Sequence, residues 1–517
     1  MHLQSKITLM VKSSFLLIIF TIITTTLAAQ ELQIEEIGRY TDGRPETLEI
    51  VTYDPVTAQL FVTNSISQTI DILNITHPEE PVLVTQVDIS PYGNIANSVV
   101  HLKNGYFAAA IEDNVKQNAG KVVFFESNGK YANQVKVGAL PDMITVTPDG
   151  KKVLVANEGE PNAAYTNDPE GSISIIDIRA GIPKLTQKNV KTLDFKNAPT
   201  TIKGSIRTPN ASTAQDLEPE YIAVNANSTL AAVTCQETNV IVYVDLVADK
   251  IVQYAGLGFK DYSLPANRVD FSDKDGGIRL KNWNVKGVYQ PDAIAAYTAS
   301  GKTYFVTANE GDSRDYDGYS SETRLKNLNL DKDAFPNGDQ LKENAQLGRL
   351  KTFTPDVIGD IDNDGDVDEI YAYGGRSFSI WDDKGQLVWD SKGDFEDFFA
   401  KNFPDFFNYG NTSDKIDYRS DDKGSEPEAI TVGQINGRTY AFIGLERQSG
   451  IIIYNITNPK FPYFVDYLHS FEESIKGAID VAPEGILFIP ANKSHTKTNL
   501  LVVANEISGT ATIYEIK

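Results

Sequence analysis

In the stretch QPDAIAAYTASGKTYFVTANEGDSRDYDGY, residues 290 to 319, Asp292 opens one expected strand and Glu310 closes the next. A turn at Ala299-Ser300-Gly301 lays the strands side by side, so both carboxylates fall on one edge of a sheet, with Asp312, Arg314 and Asp317 just beyond. Carboxylates held together repel one another, and their pKa values rise unless a cation compensates. The chemistry on offer is therefore the binding of Ca²⁺, Mg²⁺ or a cationic ligand.

The same pattern recurs along the chain. Hairpins at 45–64, 97–112, 141–158, 219–237, 291–310, 427–446 and 476–506 repeat a strand that opens near Pro or an acid, then a turn, then a strand that ends near Asn or Glu. Aligned, they place Glu46, Asn97, Asp142, Glu220, Asp292, Glu428 and Lys476 at the first-strand starts. Asn64, Glu112, Glu158, Glu237, Glu310, Glu446 and Glu506 fall at the second-strand ends. Two readings follow. The glutamates take backbone amides or arginines within each unit and hold its register, or they converge on one mouth and bind a cation. Arg314, Arg376 and Arg447 stand close enough in sequence to supply compensation without a metal.

A second acidic group is local. Asp360, Asp362, Asp364, Asp366 and Asp368 alternate around Gly365, a spacing that lets a tight loop wrap oxygen ligands around Ca²⁺. Tyr371 stands where the helix-loop-helix calcium motif needs a bidentate Glu, and the strand-like EIYAYGG follows. The expectation is a structural Ca²⁺ loop between strands, with a solvated acidic turn as the alternative.

Other chemistry is sparse. The five histidines show no metal-ligand spacing, and no G-x-S-x-G elbow, Cys-His pair or phosphate-binding Gly loop is present. A formal charge of −23 repels phosphate backbones, so nucleic acid is not an expected partner. The lone Cys235, inside the apolar run AAVTC, excludes an internal disulfide.

The elements that position these acids are strands. Most hairpins are followed by a third, β-branched strand such as QTIDILNIT, GSISIIDI and GIIIYNIT, and often by a fourth, which argues for four strands per repeat. The expected fold is all-β, a seven-bladed β-propeller in which ELQIEEIGRY near the N-terminus completes the last blade and closes the ring. Residues 1–29 read as a signal peptide, with Lys6 and Lys12 before the apolar run Phe15 to Ile23. Residues 30–517 form one domain with insertions around blades four to six, at about 190–218, 258–289, 312–350 and 392–426. No transmembrane span is expected after cleavage, so the protein is secreted, as a periplasmic, extracellular or cell-surface protein.

LPDMITVTPDGKKVLVANEGEP, SDKDGGIRLKNWNVKGVYQPDAIA, TANEGDSRDY, SEPEAITVG and LLVVANEISGTATIYEI, in this order, resemble the choice-of-anchor I family of secreted propeller proteins. The resemblance covers nearly all of the mature chain, although the C-terminal sorting signal to which the family name refers is not seen. Members are often labelled alkaline-phosphatase-like or phytase-like. Likeness to propeller phytases in fold and acidic channel implies Asp142, Glu158, Asp292, Glu310, Glu428 and Glu446 as metal ligands, with Arg314 or Arg447 facing phosphate. Two functions are thus expected: a calcium-stabilised protein that binds an extracellular ligand or protein partner through its rim, or a Ca²⁺-dependent phosphoesterase using the same residues.

Overall fold

The computed structural model describes residues 32–209, 211–410, 415–472 and 477–517. The signal-peptide reading of residues 1–29 and the placement of Lys476 lie outside them. From Gln33 onward the chain is all-β, and among the described residues it forms seven four-stranded antiparallel sheets.

The first six sheets start at Leu48–Asp54, Ala96–Leu102, Pro141–Val146, Ile222–Val224, Ile294–Ala299 and Pro427–Ile435. The seventh consists of Pro483–Ile489, Asn499–Asn505 and Thr510–Ile516, with Ile34–Thr41 antiparallel to the last of these and Ile34 opposite Ile516. First strands of consecutive sheets lie in contact, and that of the seventh lies against that of the first.

This packing explains the sequence pattern. Second and third strands are covered on both faces by neighbouring sheets, so they read as unbroken apolar runs, as in Tyr106–Ile111 (YFAAAI) and Val240–Asp245 (VIVYVD). The outermost strand Val82–Asp88 is mostly exposed. Cores form between neighbouring four-stranded sheets: Leu60 and Val62 of the first pack with Val502 and Ile513 of the seventh, and Phe61 stacks on Phe107 of the second at 4.4 Å.

At the strand ends, asparagine side chains hold the register. Asn157 donates from Nδ2 to Ser172 O (3.1 Å) and Ser174 Oγ (3.0 Å), and Asn309 donates to Ser377 Oγ (3.2 Å) and Ser379 Oγ (2.8 Å). Each ties the end of a second strand to the third strand, and the residue that follows is a glutamate, Glu158 or Glu310.

Two corrections concern the hairpins. The seventh inner strand begins at Pro483, not near Lys476. In the first sheet Leu48 pairs with Asn64, so Glu49 takes the position expected for Glu46, which is exposed and left-handed at φ 57°. The insertions also differ from expectation. Val190–Asp194 is the fourth strand of the third sheet, and the interruption of the fifth sheet runs from Glu310 to Arg376. Phe259–Asp261, Lys286–Val288, Tyr371–Ala372, Lys351–Phe353 and Glu322–Arg324 from two insertions share one five-stranded mixed sheet over their own core, which includes Phe271, Leu350 and Ile370.

Candidate functional site: a converging carboxylate cluster

The repeated hairpins gather their terminal acids. One carboxylate oxygen from each of Glu158, Glu220 and Glu237 lies within 4.8 Å of the others, and all three residues are buried at 8% exposure. They come from the third and fourth sheets, just past Asn157, just before Ile222 and just past Cys235. Asp292, Glu310 and Glu428 form a second such group, and Glu310, Glu426 and Glu446 a third. Asn97, the one amide among the strand starts, instead donates to Pro141 O at 3.2 Å.

Electrostatics follow from burial. Desolvation, with repulsion from neighbouring acids, pushes Asp142 to about 7 and holds Glu158, Glu220, Asp292, Glu428 and Glu446 well above the carboxylate range. Burial lifts Glu237 to about 7, opposed by Arg314, and Glu484 to about 8, opposed by a hydrogen bond from Glu428. Glu49 rises to about 7, again chiefly through burial. Glu484 and Glu49 thus stand at the strand-start positions of the seventh and first sheets. Pro483-Glu484 repeats the Pro-acid signature of the other hairpins, and that signal was available in the sequence.

The three arginines differ in what they compensate, and of them only Arg447 pairs with a strand-end acid of the cluster. Arg314 is 5% exposed and pairs with Glu218 (2.6 Å) and Asp216 (3.3 Å), while its Nη1 donates to Thr208 Oγ1 (2.8 Å). Arg447 pairs with Glu446 at 3.0 Å and approaches Glu426 at 3.4 Å. Arg376 lies buried beside Glu396 (3.0 Å), inside the insertions. Lys423 and Arg419, from the 392–426 insertion, are the cations that sequence reasoning missed. Lys423 Nζ sits 2.6 Å from Glu310, 3.2 Å from Glu426 and 3.6 Å from the exposed Asp312. Arg419 donates to Glu426 from Nε at 3.0 Å. Burial alone would raise Glu426, but Lys423, Arg419 and Arg447 together bring it down to about 2.

Compensation is therefore uneven. The Glu310–Glu426–Glu446 group holds three cations, whereas Glu220 Oε2 and Glu428 Oε2 are buried without a hydrogen-bond partner. An all-oxygen donor set of uncompensated carboxylates fits a hard divalent cation such as Ca²⁺.

The acidic loop lies in the interruption of the fifth sheet, ahead of Tyr371–Ala372 of the mixed sheet. It brings together Asp360, Asp362 and Asp368 within 4.8 Å. Asp364 and Asp366 fall outside that group. Asp364 Oδ1 accepts from the amide of Asp366 at 3.1 Å, and Gly365 at φ 96° donates to Asp360 Oδ2 at 3.1 Å.

A family model described as the Choice-of-anchor I domain matches residues 49–459. Gigasin-3a of Magallana gigas is 30% identical over 193 residues, which are 34% of this chain and 67% of that protein. Mesenchyme-specific cell surface glycoprotein of Strongylocentrotus purpuratus is 26% identical over 284 residues, 47% of this chain and 35% of that protein. The chain thus spans about two thirds of the first relative and about one third of the second. Among solved structures, a Kuenenia stuttgartiensis hydrazine synthase chain aligns with a TM-score of 0.48 at 12% identity, covering 92% of this chain and 98% of that one. The β-propeller domain of Cps50 (Swd1) from Myceliophteria thermophila aligns with a TM-score of 0.42 at 9% identity, with the same coverage of both chains.

Proposed function

The chain belongs to the choice-of-anchor I family, and we propose that it is a secreted seven-bladed β-propeller whose acidic mouth binds divalent cations and, with them, an extracellular ligand or partner. The seven four-stranded sheets are the blades, and the pairing of Ile34–Thr41 with Thr510–Ile516 closes the ring. The resemblance to a cell surface glycoprotein supports an extracellular or surface location. Among the described residues no helix is long and apolar enough to cross a membrane.

The observation that carries the reading is the group Glu158, Glu220 and Glu237. Three buried acids from three strand ends lie within 4.8 Å of one another, and one Glu220 oxygen has no hydrogen-bond partner. Leaving such a group buried and unpartnered is costly, and a bound Ca²⁺ would remove the cost. The acidic loop at Asp360, Asp362 and Asp368 supports a second, structural Ca²⁺.

Calcium-dependent phosphoester hydrolysis is the second reading, supported by the adjacent group of Asp292, Glu310 and Glu428, where a second cation would fit. It ranks lower because Arg314 and Arg447, the groups expected to face phosphate, are both engaged with carboxylates. Assay of the purified protein on phosphomonoesters and phytate, in EDTA and in Ca²⁺, separates the two readings. Binding without catalysis predicts no Ca²⁺-dependent turnover. Hydrolysis that requires Ca²⁺ and falls in Glu310→Gln would replace this proposal with the enzymatic one.

A further inference from the structure

A separate acidic group lies within the insertions and shares no residue with the cluster described above. Oxygens of Asp270, Asp275 and Asp417 lie within 4.8 Å of one another. Asp270 and Asp275 belong to the 258–289 insertion and Asp417 to the 392–426 insertion, more than a hundred residues away in sequence.

We propose that Asp270, Asp275 and Asp417 bind one hard divalent cation of the calcium class, which fastens the two insertions to each other.

Asp275 carries the argument. Its side chain is only 6% exposed, and neither of its oxygens accepts a hydrogen bond. The cations nearest to it, Arg279 Nε at 3.7 Å and Lys281 Nζ at 3.5 Å, stand beyond good hydrogen-bond distance and are themselves substantially exposed. A buried carboxylate in that position lacks the hydrogen bonds that normally offset its desolvation, and its two cations face it only at long range. An ion among three acids supplies them.

The other two ligands are held in place by their own loops. Asp270 Oδ1 accepts from the amide of Ser272 at 3.1 Å, and its Oδ2 accepts from the amide of Arg279. Asp417 accepts from Ser420 Oγ, and its amide donates to Phe407 O at 2.8 Å. Each carboxylate keeps lone pairs for a further partner.

Arg376 fixes the distance between the two loops without neutralising the acids. Its Nη1 donates to the carbonyl of Asp270 (2.9 Å), and its Nη2 to the carbonyls of Ser420 and Asp422 (both 2.7 Å). Its ion pair is with Glu396 at 3.0 Å. The backbone on both sides of the site is thus set before any ion arrives, which lowers the ordering cost of binding. Burial raises Asp270 to about 6 and Asp417 to about 7, with repulsion between neighbouring acids adding to it, as expected of acids that lack a compensating cation. All-oxygen donors on irregular loops suit Ca²⁺ better than the strict octahedron of Mg²⁺.

Hydrogen–deuterium exchange of the purified protein with and without CaCl₂, read at residues 270–279 and 416–422, tests the site apart from the other acidic groups. In the wild type, Ca²⁺ should slow exchange in both segments by about tenfold. In Asp275→Asn and in Asp417→Asn that effect should disappear, while Ca²⁺ protection at residues 360–369 persists. The proposal is overturned if Ca²⁺ leaves both segments unchanged in the wild type, or protects them equally in the variants. Should Asp275→Asn fail to fold, the wild type and Asp417→Asn decide alone. A functional failure of the Glu158–Glu220–Glu237 group would leave these two segments unaffected.

Discussion

Lys423 Nζ lies 2.6 Å from Glu310 Oε1, so an insertion residue supplies the positive charge for an acid at the end of an inner strand. The same ammonium reaches Glu426 at 3.2 Å, and the side chains of Lys423 and Glu310 are only about a tenth exposed. Removing one partner of a buried pair leaves the other charge uncompensated, which costs about 3 kcal/mol. Lys423→Met should therefore lower the urea unfolding free energy by about that amount. A loss below ~0.5 kcal/mol would mean that the pair is solvated.

Stability should fall with rising pH when no divalent cation is present. Glu49, Asp142 and Glu237 rise to about 7 and Glu484 to about 8, from ordinary values of 4.5 for Glu and 3.8 for Asp. A folded-state pKa above the unfolded one means that the native state holds more protons. Its contribution is complete below about pH 4 and is lost as pH climbs through 7 to 8. Glu426, brought down to about 2, acts oppositely but only in acid, below pH 4.5. In EDTA, urea unfolding should show a decline on the order of 3 kcal/mol between pH 5 and pH 8, and Ca²⁺ should flatten it. A flat or rising profile in EDTA would contradict the assigned burial of these acids.

In the loop before Tyr371, the ligand geometry singles out Asp362 with Asp360 and Asp368. Asp362→Asn should abolish the rise in Tm produced by Ca²⁺ and leave Tm in EDTA unchanged. Equal losses in both conditions would identify an acidic turn without an ion.

Ile34–Thr41 contributes the outermost strand of the seventh sheet, with Ile34, Arg39 and Thr41 opposite Ile516, Thr512 and Thr510. A chain beginning at Asp42 would leave Thr510–Ile516 with an unpaired edge. Its unfolding free energy should drop on the order of 5 kcal/mol. An unchanged melting temperature would show that this pairing is dispensable.

The strands were legible because β-branched apolar runs report burial on both faces, and the hairpins because Pro, Gly and Asn mark their ends. Glu49 was missed because Pro45-Glu46 imitates the Pro-acid signature three residues upstream, while Leu48 stands where Pro141 and Pro427 mark the other strand starts. Glu484 was hidden because Pro483-Glu484-Gly485 reads equally as a turn. The partners of Arg314, about a hundred residues upstream at Asp216 and Glu218, left no local pattern. Lys423 and Arg419 sit in an aperiodic insertion whose path is set by packing around Arg376 and Phe395 rather than by sequence period. The acids that converge were thus visible singly, while their compensation by remote cations was not.

Calcium binding to the wild type and to Glu220→Gln, compared by isothermal titration calorimetry at neutral pH, reads the acidic mouth directly. Glu220 is buried beside Glu158 and Glu237 with one oxygen lacking a hydrogen-bond partner. A cation-binding mouth predicts that the variant, folded by circular dichroism, binds one Ca²⁺ fewer than the wild type. Identical stoichiometry and affinity in the two proteins would contradict it.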